Sequence, residues 1–95
     1  MYGTVMTGRL AVPFEQVEAV VADWESQRGA SLPGYVGQSV LRSDDGTTVV
    51  AAIRFRDRES YAALSDDPAQ AEWWATRMQP CFDGEVSWTD GEWTR

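Results

Sequence analysis

The sequence predicts an α+β domain of element order βαββαβ, a four-stranded antiparallel sheet carrying both helices on one face. Three observations predict it. Two stretches repeat apolar residues at helical spacing, four shorter stretches alternate at period two, and clusters of turn-forming residues separate them. A chain of 95 residues holds one domain, spanning 1–95 with no internal repeat or linker, and buries roughly 60–65% of its unfolded surface.

Residues 2–10 place Tyr2, Thr4, Met6, Gly8 and Leu10 on one face of a first strand. Pro13 suits the first turn of a helix, Glu15 and Glu18 suit its positive end, and Phe14, Val17, Val20, Val21 and Trp24 form its apolar stripe. That helix is expected to run to about Arg28 and end at Gly29. Gly29–Gly34 is turn chemistry. Tyr35–Arg42 and Thr47–Phe55 then read as a β-hairpin around Ser43-Asp-Asp-Gly46. Asp57 is placed to cap a second helix from Arg58, which breaks near Pro68 and resumes with Ala71, Trp74, Ala75 and Met78 on one face. Pro80 and Gly84 close it, and Glu85–Asp90 alternates as the last strand. This is a ferredoxin-like arrangement. Strand three, Thr48–Ile53, is apolar on both sides, so both of its faces call for cover. Helices cover one. A second copy, sheet against sheet, is the expected cover for the other, giving a homodimer.

Composition narrows the function. The 43% hydrophobic content and the aromatic residues (Trp 5, Tyr 3, Phe 3) fit a folded domain. The net charge of −7 repels a phosphate backbone, so nucleic acid is not an expected partner. Histidine, lysine and asparagine are absent, which removes the imidazole base, the Schiff-base lysine and every Ser-His-Asp or Cys-His arrangement. No stretch reaches the length of a membrane span and no secretory signal is read at the start. The lone Cys81 has no disulfide partner within the chain, and the expected compartment is the cytoplasm. Asp44-Asp45-Gly46, Asp66-Asp67 and Asp83-Gly84 read as turns and caps, so no metal site is expected.

Gly8-Arg9-Leu10, Leu32-Pro33-Gly34-Tyr35, Ile53-Arg-Phe55 followed six residues later by Tyr61, and Ser65-Asp66-Asp67-Pro68 span nearly the whole chain. In these segments the chain resembles the antibiotic biosynthesis monooxygenase-type domains of the dimeric α/β-barrel superfamily. The resemblance implies a pocket between helices and sheet in each protomer. Some members oxidise aromatic polyketides or quinols there with oxygen and no cofactor, and one branch degrades haem. The haem branch uses an asparagine ending strand one, a tryptophan in helix two and a ligating histidine further along. These positions fall on Gly8, Leu64 and Trp74, so neither haem nor another cofactor is expected. The cofactor-free branch also commonly uses an asparagine, which this chain lacks.

Trp74, Met78, Tyr61, Trp24 and Phe14 fall on inward helix faces, where with Met6, Phe55 and Leu64 they either wall a pocket for a flat, hydrophobic aromatic molecule or fill a small core. Trp73, beside Trp74, is expected at the surface, at a pocket mouth or in the dimer contact. Tyr61 is the candidate hydroxyl donor or acid/base, and Trp74 a stacking wall with an indole N–H donor. Arg54 is either an anion stabiliser or, like Arg56 and Arg58, a partner for Asp57 and Glu59. Two functions are expected to compete. The first is a cofactor-independent monooxygenase acting on an electron-rich aromatic. The second is a non-catalytic dimer that binds a small molecule or serves in protein interaction.

Overall fold

A computed structural model describes residues 1–95. Strand β1 (Tyr2–Arg9) leads through α1 (Phe14–Gln27) and a 3₁₀ turn to the hairpin β2 (Tyr35–Arg42) and β3 (Thr48–Phe55). Helices α2 (Arg58–Ser65) and α3 (Pro68–Trp73) follow, then a π turn over Trp74–Met78, a 3₁₀ turn, and β4 (Ser87–Glu92). The strands lie in the order β2-β3-β1-β4 with every pairing antiparallel, the expected ferredoxin-like α+β fold. No helix is long and apolar enough to cross a membrane.

Local chemistry explains the boundaries. Gly34 adopts φ +80°, and a Cβ there would sit 2.1 Å from the Ser60 hydroxyl, so the turn into β2 takes glycine. Asp57 starts α2, accepting hydrogen bonds from the Ser60 backbone N–H (2.9 Å) and hydroxyl (2.7 Å). Pro68, lacking an N–H, opens α3, while Asp67 accepts from Ala69 N–H at 3.0 Å. Asp67 also binds Arg28 at 2.7 Å, tying the end of α1 to the α2–α3 joint. The second helical stretch is therefore two helices ending in a widened turn, where Gln79 N–H reaches back five residues to Trp74 O.

The helix-side face of the sheet is built in rows. Tyr35, Phe55, Tyr2 and Glu92 form one, Gln38, Ile53, Thr4 and Asp90 the next, and Val40, Ala51, Met6 and Trp88 the third. A β-bulge between Tyr35 and Gly37 lets Tyr35 and Gln38 share that face despite their odd spacing. Val17, Val20 and Trp24 of α1 bury onto it, as do Leu64, Met78 and Phe82. Gly8 lies flush under Phe82, where a Cβ would come within 2.7 Å of the ring. The opposite face carries Val5, Leu41, Val50 and Ala52. One corner of it lies under Trp93, whose indole N–H donates to Ile53 O at 3.3 Å. Leu41 is 63% exposed there and Val36, at the bulge, 54%.

Phe55 is wholly buried among Tyr35, Tyr61 and the second core cluster of Trp24 and Leu64. Phe55→Ala is expected to cost about 3–5 kcal/mol in denaturant unfolding. The Ser60 hydroxyl and N–H, then Arg56, hold the Asp57 carboxyl down at about 2. Because the folded value lies below the ordinary 3.8, its stabilisation is complete above that pH and lost as pH falls toward 2. Asp57→Ala is expected to destabilise at neutral pH and to flatten the stability curve across that acid window, as read by thermal melts at stepped pH.

Candidate active site

Between the sheet rows and the helices lies a cavity of about 520 Å³, inside the roughly 300–1,000 Å³ range of small-molecule sites. Its floor is Met6, Ala51 and Ile53, and its roof is Trp24, Trp73 and Trp74. The exposed lining residues Ser65, Ala71, Trp88 and Asp90 gather where α3 faces β4, which places the mouth there.

The tryptophans are held by polar anchors as well as by packing. Trp24 Nε1 donates to Gln70 Oε1 at 3.0 Å, and Trp74 Nε1 donates to Gln79 Oε1 at 3.2 Å. Trp74 stacks on Phe82 (centroids 6.2 Å apart) and meets Trp88 edge-on at 5.0 Å. Both indole donors are thus engaged within the protein, and the N–H of Trp74 is not free for a ligand.

Polarity is concentrated at the two ends of the second row. At the β4 end, Tyr61 Oη donates to Asp90 Oδ1 at 3.0 Å. Burial, then the neighbouring Asp90 carboxylate, pushes the Tyr61 phenol up to about 12, so it remains a protonated donor through the neutral range. At the β2 end, Gln38 Nε2 donates to Tyr35 Oη at 3.2 Å, and Tyr35 in turn donates to Glu25 at 3.1 Å. Burial is the main cause that lifts Tyr35 to about 12 as well. No cationic side chain lines the cavity.

Met6, Trp24, Phe55, Tyr61, Leu64, Trp74 and Met78 all line this space. Phe14 does not: it sits at the start of α1 beneath the Arg42 guanidinium, 5.3 Å from its ring centroid. Arg54 is also kept away. It lies between Ile53 and Phe55, which point inward, so strand alternation turns it to the opposite face, over Trp93 at 5.0 Å and against Ser39 at 3.3 Å. Trp73, expected at the surface, at a pocket mouth or in a dimer contact, lines the cavity and packs against both core clusters. Neighbours on a helix diverge by about 100°, and the cavity lies between the two directions, so both rings border it. Gln38, Gln70, Trp88 and Asp90 were not singled out from sequence; the alternation of β4 was the available signal for the last two. No group of three or more acidic, cysteine or histidine side chains is arranged to hold a metal. Cys81 is buried, its thiol raised by desolvation and donating to Arg77 O at 3.6 Å.

No family model and no curated protein matches the chain. Solved structures do. SnoaB, a cofactor-independent oxygenase from Streptomyces nogalater, superimposes with a TM-score of 0.75 at 19% identity, over 98% of this chain and 94% of that one. The ActVA-Orf6 monooxygenase of Streptomyces coelicolor, solved with nanaomycin D, gives 0.73 at 21%, over 95% and 84%. An antibiotic biosynthesis monooxygenase candidate from Caulobacter crescentus gives 0.73 at 18%, over 99% and 90%. The chain therefore has the fold of the antibiotic biosynthesis monooxygenase-like proteins, and these are its structural neighbours.

Ala51, 5% exposed on the cavity floor, offers a way to fill the space from below. Ala51→Leu is expected to weaken binding of a neutral three-ring aromatic at least tenfold, measured by quenching of tryptophan fluorescence, while leaving the cooperative melt in place.

Proposed function

We propose that the protein is a cofactor-independent monooxygenase acting on an electron-rich, polyketide- or quinol-like aromatic. One observation carries this reading: an aromatic-walled cavity whose lining is apolar except for a few groups, among them the paired Tyr61 hydroxyl and Asp90 carboxylate, on the fold of SnoaB and ActVA-Orf6. In such chemistry the substrate supplies all the electrons. A benzylic methylene loses a proton, the carbanion adds oxygen, the peroxide regains the proton, and loss of water leaves a carbonyl, so that CH₂ and O₂ become C=O and H₂O. The protein's part is to desolvate the ring, stabilise developing negative charge and manage one proton. Trp24 and Trp74 cover one face of the ring from the roof, and Tyr61, its hydroxyl donating to Asp90, borders the polar end of the cavity. Arg54, on the far face, has no place in it.

We further propose that two copies pair through the apolar outer faces of their sheets, burying Leu41, Val50 and Ala52. A cytoplasmic setting accords with a single, buried cysteine. The competing reading, a binding protein without turnover, draws on the two indole N–H groups already committed to Gln70 and Gln79, which leaves few donors for an oxyanion.

Oxygen uptake with anthrones and quinols separates these readings. Turnover that falls at least tenfold in Trp74→Ala is expected; tight binding of the same compounds without oxygen consumption would favour the binding protein. Light scattering is expected to return about twice the 10.6 kDa chain mass, and Leu41→Glu to shift it toward one.

A further inference from the structure

The geometry points to Asp90 as the base that removes the substrate's proton, with Tyr61 as the residue that positions it. The inference rests on the oxygenase reading and assigns its proton-transfer step.

Asp90 shares a sheet row with Thr4, Ile53 and Gln38, all on the helix side, so its carboxylate lines the cavity at the mouth. Tyr61 reaches it from α2 and occupies Oδ1, while Oδ2 makes no hydrogen bond within the protein. A hydroxyl that donates to one carboxylate oxygen fixes the rotamer of the acid and leaves the other oxygen as the acceptor. The tyrosine cannot itself be the resting base, because its phenol stays protonated up to about 12. No histidine or lysine exists to replace it, and the remaining polar lining groups are neutral amides and hydroxyls.

Three elements meet at this site. Tyr2 of β1 lies against Tyr61 (centroids 5.5 Å), Arg58 of α2 sits over the Tyr2 ring at 5.8 Å, and Glu92 lies two residues further along the same face of β4. These, with Tyr61, are the ionisable groups around Asp90. The row also gives the ligand its direction. Three strand spacings separate Gln38 from Asp90, about 14 Å across Ile53 and Thr4. A three-ring molecule with its short axis along this row brings the methylene edge of its central ring to Asp90 and the opposite, carbonyl edge toward Gln38.

The step is a simple proton transfer. The enolisable C–H bond of the ring breaks, its electron pair remains on the substrate as an enolate, and the proton goes to Asp90 Oδ2, to be returned when the peroxide forms.

The test uses 1,8-dihydroxyanthrone as probe. Without oxygen, wild-type protein is expected to develop the red-shifted absorption of the bound anion, and Asp90→Asn to bind with a similar Kd and no such band. In air, Asp90→Asn is expected to lower kcat at least a hundredfold with KM within a few-fold, and to abolish the acid limb of the kcat profile. Tyr61→Phe is expected to lose about tenfold while keeping that limb, and Asp90→Glu to recover part of the rate. An anion band and acid limb that survive in Asp90→Asn but vanish in Tyr61→Phe would overturn the assignment and leave the oxygenase reading intact. Wild-type protein that binds the anthrone yet neither ionises it nor consumes oxygen would remove both.

Discussion

The roof of this domain cannot settle onto its sheet, and the rest of the structure follows from that constraint. Trp24 and Trp74 are pinned by indole hydrogen bonds to Gln70 and Gln79, Trp74 is further wedged between Phe82 and Trp88, and α3 is set by its Pro68 start and Asp67 cap. Beneath them the floor uses small or slender side chains, Ala51, Thr4 and Met6, so the rings meet no matching bulk. A sealed, dry void of 520 Å³ would cost about 12 kcal/mol at ~24 cal/mol per Å³, as much as the whole stability of a small domain. The space is sustainable because it opens to water beside Trp88, itself 45% exposed, and because a ligand of suitable shape recovers the contacts that the protein forgoes.

Strand alternation separates two kinds of chemistry with one sheet. Inward positions of β3 are apolar, those of β1 add the buried hydroxyl of Thr4, turned to Thr89 O, and those at the flanks, Gln38 and Asp90, are polar; outward positions bring Val5, Val50, Ala52 and Leu41 together, with Arg54 and Trp93 at one corner. A ligand in the cavity therefore meets a carboxylate and no guanidinium. That arrangement disfavours substrates bearing their own carboxylate and suits neutral rings whose acidity is expressed only after binding.

Much of this was legible in the sequence. Strand β2 has the bounds Tyr35–Arg42 read from its residue types, and the stripe Val17, Val20, Trp24 is buried as its helical spacing requires. Alternation along β3 was enough to turn Arg54 away from Phe55, and the inward reading of Tyr61, Trp74 and Met78 follows from ordinary helix geometry. Three features depend on tertiary arrangement instead. Phe14 leaves the cavity because α1 begins beyond it, toward Arg42. The π turn at Trp74–Met78 has no local sequence marker. Asp90 and Trp88 alternate visibly, yet only the register of edge strand β4 against β1 says which alternate set faces the helices.

The central claim is that a flat aromatic molecule lies between the tryptophan roof and the Met6–Ala51 floor. Nuclear Overhauser contacts from a bound, neutral hydroxylated anthracene test it most directly. The account expects them to the methyl groups of Met6 and Ala51 and to the indole protons of Trp74. Contacts confined to Leu41, Val50 and Val36 on the opposite sheet face, or none at saturating ligand, would contradict it.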